Sequence, residues 1–464
     1  MNQMSVEEAL ARCAEIDGAD TDTALRSVLA LDNDAVTRTT RVENNDGLLH
    51  GVPVLVKDNI EAEGLPCTAG SLALRGVPIR GDSTVASRLR RAGAVIIGAA
   101  NLSEWANMRS TNSSSGWSAV GGLVANPWAL DHSAGGSSSG SGAAVAAGIV
   151  PMAVGTETDG SIVCPAALNG VVGIKPTVGS IPTDGIVPVS GSQDTPGSLA
   201  RTVDEAERML AVLTDDISLL SRSALIDVSS LVVGVVDAWR TGDQATDALF
   251  DEALRYVKKL SQKVSESQMI ATPDDVRFDE YTVLVHELRS DLDDYLSARV
   301  TNGASSSVRE VVEFNRANAE IELAYFGQDI FEMAAQSQGR TAEDYVSARK
   351  RNLEWVHNNL NVALQQHDIL ISPAYMPAWK TDFAAGHPSA GGAVTSPAAI
   401  AGLPIVTIPM GLVAGLPVGL SLVGAKNSEA MLIALARSLE KKLGLVNDVQ
   451  WHPTFLKRSS LGHS

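Results

Sequence analysis

Cysteine is scarce in this chain, which has only Cys13, Cys67 and Cys164 among its 464 residues. An odd, sparse set without a CxxC pair gives neither a disulfide framework nor a zinc site. No two histidines have the HExxH spacing with which a metalloprotease helix binds zinc. The sequence therefore argues against a small disulfide-rich protein and against a zinc protease, and we expect no bound metal.

Basic residues are also few, since 36 Lys and Arg stand against 54 Asp and Glu, which gives a net charge of −18. That charge argues against nucleic-acid binding, because phosphates require clustered Lys and Arg. No apolar stretch reaches the roughly 18 residues of a membrane span, and the longest, 142–154, contains Pro151. The N-terminus is acidic and amphipathic, unlike a signal peptide. We expect a cytoplasmic protein with no nucleic-acid or membrane partner.

The composition is that of a packed globular protein, with 45% hydrophobic and 19% charged residues. A short β-branched run at 52–56 predicts a buried strand. The segment 82–94 predicts a helix, and 94–99 predicts a second strand. This alternation is typical of α/β folds. Amphipathic helices are also expected at 5–16 and 22–31.

After about residue 215 the chain is more charged and mostly helical as far as about residue 365, with a lone strand predicted at 232–236. Strands are expected again at 368–372, 405–410 and 419–423, and a last helix at 428–443. We therefore predict one large α/β domain whose C-terminal strands rejoin a central mixed β-sheet covered by helices. The helical stretch is then an insertion.

Small residues are densest at 131–164, where a Gly/Ser cluster precedes an apolar run and a polar turn. Because small residues let backbones approach each other or a ligand, we interpret this stretch as a site. A phosphate-binding loop would need GK[ST] after the glycines, which is missing. A nucleophile elbow would match GxSxG at 136–140, with Ser138 central. However, 126–133 does not resemble the strand it requires, and no later histidine lies in a recognisable setting.

A third interpretation connects this stretch with Lys57, which directly follows the predicted strand at 52–56. A lysine in that position is either an ordinary strand-end lysine that reaches water or a desolvated one. Burial disfavours the charged form, so a desolvated lysine has a lowered pKa and acts as a base. The pattern alone leaves both possibilities open.

Several long motifs follow one another along the chain. They are GVPVLVKDNI at 51–60, TAGS at 68–71, GGSSSGSGAAVAAG at 135–148, GTETDGSIVCPAALNGVVGIKPT at 155–177, QDTPGSLARTV at 193–203, TSPAAIAGLPIVTIPMG at 395–411 and GLPVGLSLVG at 415–424. On these motifs the chain resembles the amidase signature family nearly from end to end, and the match thins at 215–365. The resemblance implies one amidase domain over 1–464. Its parts would be N-terminal helices at 1–48, a catalytic core at 49–214, a variable helical region lining the substrate cleft at 215–365, and C-terminal strands and a helix at 366–464.

The resemblance also implies a Ser–Ser–Lys triad. The lysine that opens the KDNI motif is Lys57, the first serine after the paired glycines is Ser137, and the serine of the polar turn is Ser161. Ser161 would be the nucleophile, Ser137 would relay its proton, and a neutral Lys57 would be the base. In the family a cis peptide bond precedes the middle serine, which would be Gly136–Ser137 here.

The polar turn would supply the oxyanion hole, from the backbone N–H groups of Thr158, Asp159, Gly160 and Ser161. The implied reaction is attack of the serine on an amide carbonyl, loss of the amine or ammonia, and hydrolysis of the acyl-enzyme by water. It requires no cofactor and no metal.

This chain departs from the family pattern at two positions of the turn. Many members have Gly and Arg where it has Asp159 and Val163, so acidic substrate groups that the Arg would bind are in doubt. The chain is similar to the peptide-amidase-like branch of the family in its turn motif, TETDGSIVCPA. It shares with that branch also NLSEWAN at 101–107, SGWS at 115–118 and PTFL at 453–456. The candidates for substrate contact are Met108, Ser110 and Trp117, whereas we expect Cys164 only to pack.

The expected function is hydrolysis of a small-molecule amide, whether simple, aryl or the C-terminal amide of a peptide. Hydrazide or ester hydrolysis on the same triad is an alternative. Another is the amidase subunit of a glutamine-dependent tRNA amidotransferase, although that subunit usually has TGGSIR in the turn. A third is a catalytically silent binding protein, against which the intact triad argues. We expect a monomer or homodimer.

Overall fold

The computed structural model describes residues 4–18, 23–42, 47–300, 305–386, 388 and 392–443. One mixed sheet of eleven strands runs through these residues. In chain order the strands are β1 (Val28–Leu31), β2 (Pro53–Lys57), β3 (Val95–Ala100), β4 (Met152–Glu157), β5 (Val172–Lys175), β6 (Thr195–Ala200), β7 (Val232–Val235), β8 (Lys263–Glu266), β9 (Ile369–Pro373), β10 (Ile405–Val413) and β11 (Leu416–Gly424). The predicted α/β architecture with a central mixed sheet is confirmed.

The order of strands across the sheet is β1-β3-β2-β4-β6-β5-β10-β11-β9-β7-β8. β2 is parallel to its neighbours β3 and β4, and β7 is parallel to β8 and β9. All the other neighbouring pairs are antiparallel. Because β2 and β4 run side by side in one direction, their C-terminal ends meet at the same edge of the sheet.

Helices pack on both faces of the sheet. They are α1 (Val6–Ile16), α2 (Ala35–Val42), α3 (Thr84–Arg91), α4 (Ser139–Ala146), α5 (Val163–Asn169), α6 (Val203–Thr214), α7 (Ser218–Leu225), α8 (Gln244–Leu260), α9 (Asp274–Arg299), α10 (Val308–Ala317), α11 (Ala319–Glu322), α12 (Asp329–Gln336), α13 (Glu343–Val356), α14 (Val362–Gln366), α15 (Thr395–Ala401) and α16 (Glu429–Leu443). Short 3-10 turns lie at Leu72–Leu74, Glu104–Asn107, Val228–Ser230, Asp237–Trp239 and Gly339–Thr341, and a π turn at His357–Asn361. Within the described ranges, no helix has both the length and the apolar character to cross a membrane.

Strand β2 shows how the two faces are filled. Val54 and Val56 belong to an apolar cluster that includes residues of α3, α6, α8 and α16. Leu55 lies between them in sequence but belongs to a second cluster, with residues of α1 and α4. This alternation follows from the pleat of a strand, whose successive side chains point to opposite faces. Burial on both faces explains the uninterrupted apolar run that ends at Lys57.

The two helices predicted near the N-terminus have different outcomes. The first is confirmed as α1, and the hydroxyl of Ser5 accepts a hydrogen bond from the backbone amide of Glu8 at 3.1 Å. The second, at 22–31, is wrong, because 28–31 forms β1 and pairs antiparallel with β3. Pairing at the edge of the sheet overrides the helical propensity of its Ala and Leu residues.

Two further strands of the sheet, β6 and β8, are missing from the sequence prediction, and β8 shows that the 215–365 stretch contributes two strands to the sheet. The predicted strand at 232–236 is not alone, because β7 pairs with β8, which lies in the same 215–365 stretch. β8 is largely polar and only partly buried, so it lacks the apolar signal of a strand. β6 lies between β4 and β5, in the part of the sheet formed by β1 to β6. We name this part the catalytic half, because it contains the strands of the predicted catalytic core.

The segment before the Gly/Ser cluster is also corrected. Residues 125–126 and 129–133 pair as a short antiparallel ribbon, whereas the sequence suggested no strand at 126–133. The side-chain amide of Asn126 donates to the carbonyls of Ser133 and Leu168, both at 3.0 Å. The ribbon is therefore stabilised by hydrogen bonds of the Asn126 side chain. An alternating pattern of apolar and polar residues does not reveal a strand that depends on such contacts. The PTFL motif at 453–456 lies outside the described residues.

Candidate active site

Lys57 ends β2 and is fully buried. Its Nζ lies 2.7 Å from Ser137 Oγ, 2.8 Å from Thr156 Oγ1 and 3.3 Å from the backbone oxygen of Thr156. Thr156 is near the end of β4, so the parallel pairing of β2 and β4 brings these groups together. Of the two possibilities that the sequence left open, the desolvated lysine is the one observed.

Burial lowers the pKa of Lys57 to about 7, because the charged form loses its hydration. Asp194 and Glu157 act in the opposite direction, since their negative charges favour the ammonium form. A substantial fraction of Lys57 is therefore neutral near pH 7. A neutral amine has two N–H groups and one lone pair, and both oxygen atoms of Thr156 are placed to accept from the N–H groups.

Ser137 follows a cis peptide bond from Gly136, in agreement with the family pattern. Ser137 is fully buried, and its backbone oxygen accepts a hydrogen bond from the backbone amide of Ser103 at 3.0 Å. The next residue, Ser138, is also buried, and its hydroxyl donates to the backbone oxygen of Thr156 and accepts from the amide of Thr156. A serine held in this way is a poor nucleophile, so the geometry gives the elbow hypothesis no support.

Ser161 lies in the turn between β4 and α5 and is 8% exposed. Its backbone oxygen accepts from the amide of Ser138 at 3.1 Å, which joins the turn to the Gly/Ser cluster. Among the hydrogen bonds of the described residues, none joins the hydroxyls of Ser137 and Ser161. The backbone of Ser161 is thus hydrogen-bonded to the residue that follows Ser137, and the proton relay between the two hydroxyls stays a prediction.

Two carboxylates, the buried Glu157 and the partly buried Asp194, make hydrogen bonds to the turn. Glu157 Oε2 accepts from the amides of Ile162 and Val163 at 2.6 and 2.9 Å, which satisfies the first N–H groups of α5. Asp194 accepts from the hydroxyl of Thr158 at 2.5 Å. Burial raises the pKa of both carboxyl groups, that of Asp194 to about 6.

The predicted oxyanion donors lie in this turn. In the described part of the chain, no hydrogen bond uses the backbone N–H of Asp159, Gly160 or Ser161. Gly160 has a φ of +80°, and a Cβ there would lie 2.6 Å from the hydroxyl oxygen of Tyr375. The turn therefore requires glycine at this position, and its amides are available to a ligand.

The three candidates for substrate contact have structural partners instead. The hydroxyl of Ser110 donates to Asp329 at 2.5 Å, and Trp117 is buried against the guanidinium of Arg109. Met108 packs at the edge of an apolar cluster formed largely by helices α9, α10 and α12. No hydrogen bond or ring contact within the described ranges joins any of these three to the predicted triad. Their contact with substrate stays a prediction.

Sequence reasoning did not assign a role to several residues around the turn. Asp194 and Gln193 belong to the QDTPG motif, on which the resemblance partly depends, so the motif was a usable signal. Thr156 likewise lies in one of the matching motifs. Glu280, in the second turn of α9, accepts a hydrogen bond from the side-chain amide of Gln193 at 3.0 Å. No local pattern distinguishes it from the other acidic residues of that helix.

Cys164 lies close to the turn, and its amide donates to the backbone oxygen of Gly160 at 2.7 Å. Burial raises the pKa of its thiol to about 12. The thiolate, which is the reactive form, is therefore scarce at neutral pH. This agrees with the expectation that Cys164 only packs.

A buried lysine beside a serine, and a nearby turn whose backbone amides make no hydrogen bond in the described part of the chain, are features that serine-dependent acyl transfer uses. Residues 5–433 match the family described as Amidase. The chain belongs to this family. It is an amidase, a hydrolase that acts on amide C–N bonds.

Similar proteins support the assignment. The native peptide amidase of Stenotrophomonas maltophilia is 36% identical, with a TM-score of 0.86 over 94% of this chain and 93% of that chain. A peptide amidase in complex with the competitive inhibitor chymostatin gives the same identity and coverage, with a TM-score of 0.88. Among curated proteins, the A-type subunit of the Glutamyl-tRNA(Gln) amidotransferase of Symbiobacterium thermophilum is 32% identical over 94% of this chain and 92% of its own length.

Proposed function

We propose that this amidase acts through an acyl-enzyme on Ser161, with Ser137 as proton relay and Lys57 as base. The observation that carries the proposal is the 2.7 Å contact between Lys57 Nζ and Ser137 Oγ. Burial lowers the pKa of this lysine to about 7, so it serves as a base near neutral pH. The same geometry has no evident purpose in a protein that only binds its ligand.

The contacts of Lys57 suggest how the proton moves. When the two N–H groups of neutral Lys57 donate to Thr156, the lone pair is left for the hydroxyl proton of Ser137. Ser161 then passes its proton to Ser137 Oγ as it attacks the carbonyl carbon, and Ser137 passes its own to Lys57. The resulting ammonium returns a proton, through Ser137, to the leaving nitrogen. In the second step, water attacks the acyl carbon and passes a proton through Ser137 to Lys57. The proton then returns through Ser137 to Ser161 Oγ as the ester bond breaks.

The oxyanion of the tetrahedral intermediate is placed in the turn, on the N–H groups of Thr158, Asp159, Gly160 and Ser161. Support comes from the unused amides and from the hydrogen bonds by which Glu157 and Asp194 hold the turn. Preorganised donors of this kind are worth about 10²–10³ in rate each.

For the substrate we propose the C-terminal amide of a peptide, or a simple or aryl amide. The likeness to peptide amidase structures favours the first. Val163 occupies the position at which an Arg would bind an acidic group, so malonamic-acid-type substrates are disfavoured. Glu280 of α9 reaches residues beside the turn, which supports the 215–365 region as a lining of the cleft. Met108, Ser110 and Trp117 remain weaker candidates. From the acidic net charge we propose a cytoplasmic location, and we propose that the enzyme is a monomer or homodimer.

A second candidate is the amidase subunit of a tRNA amidotransferase, favoured by the similarity to the Symbiobacterium thermophilum protein. Against it, the turn reads TETDGSIV instead of TGGSIR. Glutaminase activity that appears only with partner subunits would favour this candidate. Turnover of peptide amides by the chain alone would favour the free-standing amidase. A panel of matched hydrazides and esters tests the remaining alternatives.

The experiment that tests the triad is labelling with a serine-directed phosphonate followed by peptide mapping. We expect label on Ser161, its loss in Ser161→Ala, and strongly slowed labelling at neutral pH in Lys57→Met. Lys350→Met, at an exposed lysine of α13, is the matched control and should label like the wild type. Label on Ser138, or unchanged labelling of Lys57→Met, would contradict the proposal.

A further inference from the structure

Besides Oε1 of Glu157, two buried acceptor oxygens beside the catalytic turn have no hydrogen-bond partner in the described part of the chain. They are Oδ1 of Asp159 and Oε1 of Gln193, which we name the acceptor pair. Gln193 is fully buried. Buried acceptors in native proteins are nearly always paired, and an unpaired one requires an explanation.

Both side chains are fixed by their other atoms. Asp159 Oδ2 accepts from the hydroxyl of Ser396 at 2.6 Å. Gln193 Nε2 lies 3.0 Å from Glu280 Oε1 and 3.5 Å from the backbone oxygen of Thr158, the residue before Asp159. The acceptor pair is therefore held next to the turn by a cluster built from four separate parts of the chain. One oxygen of the Asp159 carboxylate and the oxygen of the Gln193 amide have no hydrogen-bond donor in this cluster.

The two carboxyl groups of this cluster, those of Asp159 and Glu280, form no direct ion pair within the described ranges. The nearby Lys175 donates instead to the backbone oxygens of Leu403 and Pro176, at 2.6 and 3.2 Å. Arg349 donates to the backbone oxygen of Ile400 at 3.4 Å. Burial raises the pKa of both carboxyl groups, which is what uncompensated burial produces.

A ligand that completes this site must therefore bring donors. N–H groups are the donors that an amide substrate carries, and two of them flank the carbonyl carbon of a peptide amide. One belongs to the scissile carboxamide, and the other is on the nitrogen of the α-carbon. An ester of a carboxylic acid without an α-nitrogen has neither of these N–H groups.

We propose that the acceptor pair of Asp159 and Gln193 binds substrate N–H groups next to the carbonyl that Ser161 attacks. This inference rests on the proposed function, because it places the substrate at Ser161. Asp159 is two residues from that serine in the same turn. The site thus selects amides, or acyl groups with an α-nitrogen, over esters and acids without N–H donors. It occupies a position where many family members have Gly and so have no side-chain acceptor.

Three substrates with the same side chain separate the two sources of N–H. N-acetyl-leucinamide has both N–H groups, N-acetyl-leucine methyl ester lacks the scissile one, and 4-methylpentanamide lacks the α-nitrogen. Each is tested with the wild type and with Asp159→Asn. Because the one oxygen of the Asn side chain is held by Ser396, its NH₂ group takes the place of the acceptor and faces the substrate N–H.

We expect Asp159→Asn to lower kcat/KM for N-acetyl-leucinamide about tenfold or more, as loss of a hydrogen bond to a charged acceptor does. The loss should disappear for whichever of the other two substrates lacks the recognised N–H, and this identifies its source. Asp274→Asn, at a 95% exposed side chain in the first turn of α9, is the control and should change none of the three values.

An equal loss for all three substrates would overturn the proposal, since Asp159 would then only shape the turn. Phosphonate labelling of Ser161 separates this result from a failure of the triad. Equal losses with intact labelling overturn the N–H site alone. Absence of labelling in the wild type overturns the triad and the site that depends on it.

Discussion

Two lysines are fully buried in the catalytic half of the sheet, and their partners differ. Lys175 donates to two backbone carbonyls, and burial lowers its pKa to about 8. Lys57 contacts the hydroxyl of Ser137, a group that has a proton to give. A lysine among carbonyl oxygens only donates, whereas a lysine beside a hydroxyl exchanges protons. The chemistry of the partner atoms, more than burial, thus distinguishes the proposed base, Lys57, from Lys175.

The pKa of Lys57 predicts the pH dependence of the enzyme. Below about pH 7 the lysine is protonated and cannot accept the proton of Ser137, so kcat/KM should fall as pH decreases through about 7 and level off above it. Lys57→Met should lower the plateau by at least about 100-fold and remove this limb. The measurement is kcat/KM from pH 5 to pH 9. A wild-type profile without a limb near 7 would contradict the assignment.

Thr156 is predicted to orient Lys57. Its Oγ1 accepts from Lys57 and from the side-chain amide of Asn59 at 3.0 Å. Thr156→Val keeps the shape but leaves two buried donors without that acceptor, so we expect a loss of about 1–3 kcal/mol in the free energy of unfolding. We also expect kcat to fall more than KM changes, because the lone pair of Lys57 is no longer directed.

Urea unfolding and steady-state kinetics test this prediction together. Thr341→Val, at an exposed threonine, is the matched control and should alter neither quantity. Unchanged kcat in a destabilised Thr156→Val enzyme would mean that the hydroxyl contributes only to folding.

At the scale of elements, the sequence revealed the parts with long apolar signals and missed those that depend on distant contacts. β2 and α1 were predictable because their apolar residues and cap are local. β1 and β8 lie at the two edges of the sheet, where pairing with a distant strand decides the structure. For the site, Lys57, Ser137 and Ser161 lie in recognisable motifs, whereas Glu280 reaches the turn only through the packing of α9.

Arg299 of helix α9 makes several hydrogen bonds to the loop that contains the TAGS motif. The buried guanidinium of Arg299 donates to four backbone oxygens of that loop, at distances of 2.7–3.2 Å, those of Pro66, Cys67, Val77 and Pro78. Removing it leaves these acceptors without a donor in a region closed to water.

Arg299 Nε also lies 3.8 Å from the buried carboxylate of Glu61. Arg299→Met is therefore expected to lower the free energy of unfolding by about 3–5 kcal/mol, the range seen when one partner of a buried ion pair is removed. Arg277→Met on the same helix, where the side chain is 57% exposed, should change it by less than about 0.5 kcal/mol. Urea unfolding of both variants measures the difference. Similar values for the two would show that the loop is not anchored through Arg299.

The sheet joins segments that lie far apart in sequence. From the catalytic half, β5 pairs with β10, and the C-terminal β9 pairs with β7 from the variable stretch. Residues of β2, β5, β7 and β9 also contribute to a single apolar cluster. The 215–365 stretch is therefore built into the same sheet as the triad, which favours one cooperative unit over an independently folding insertion.

This arrangement predicts the stability of the separate segments. Amides of β4, β7 and β9 should exchange hydrogen with one common opening free energy in low denaturant, because each of these strands contributes buried residues to the shared cluster. Peptides from α7, whose Leu225 is 84% exposed, should exchange more readily and provide the internal comparison. The measurement is native-state hydrogen exchange by mass spectrometry as a function of urea. If β7 and β8 opened at a clearly lower free energy than β4, the variable stretch would be a separate folding unit and its strands would be only docked on the catalytic half.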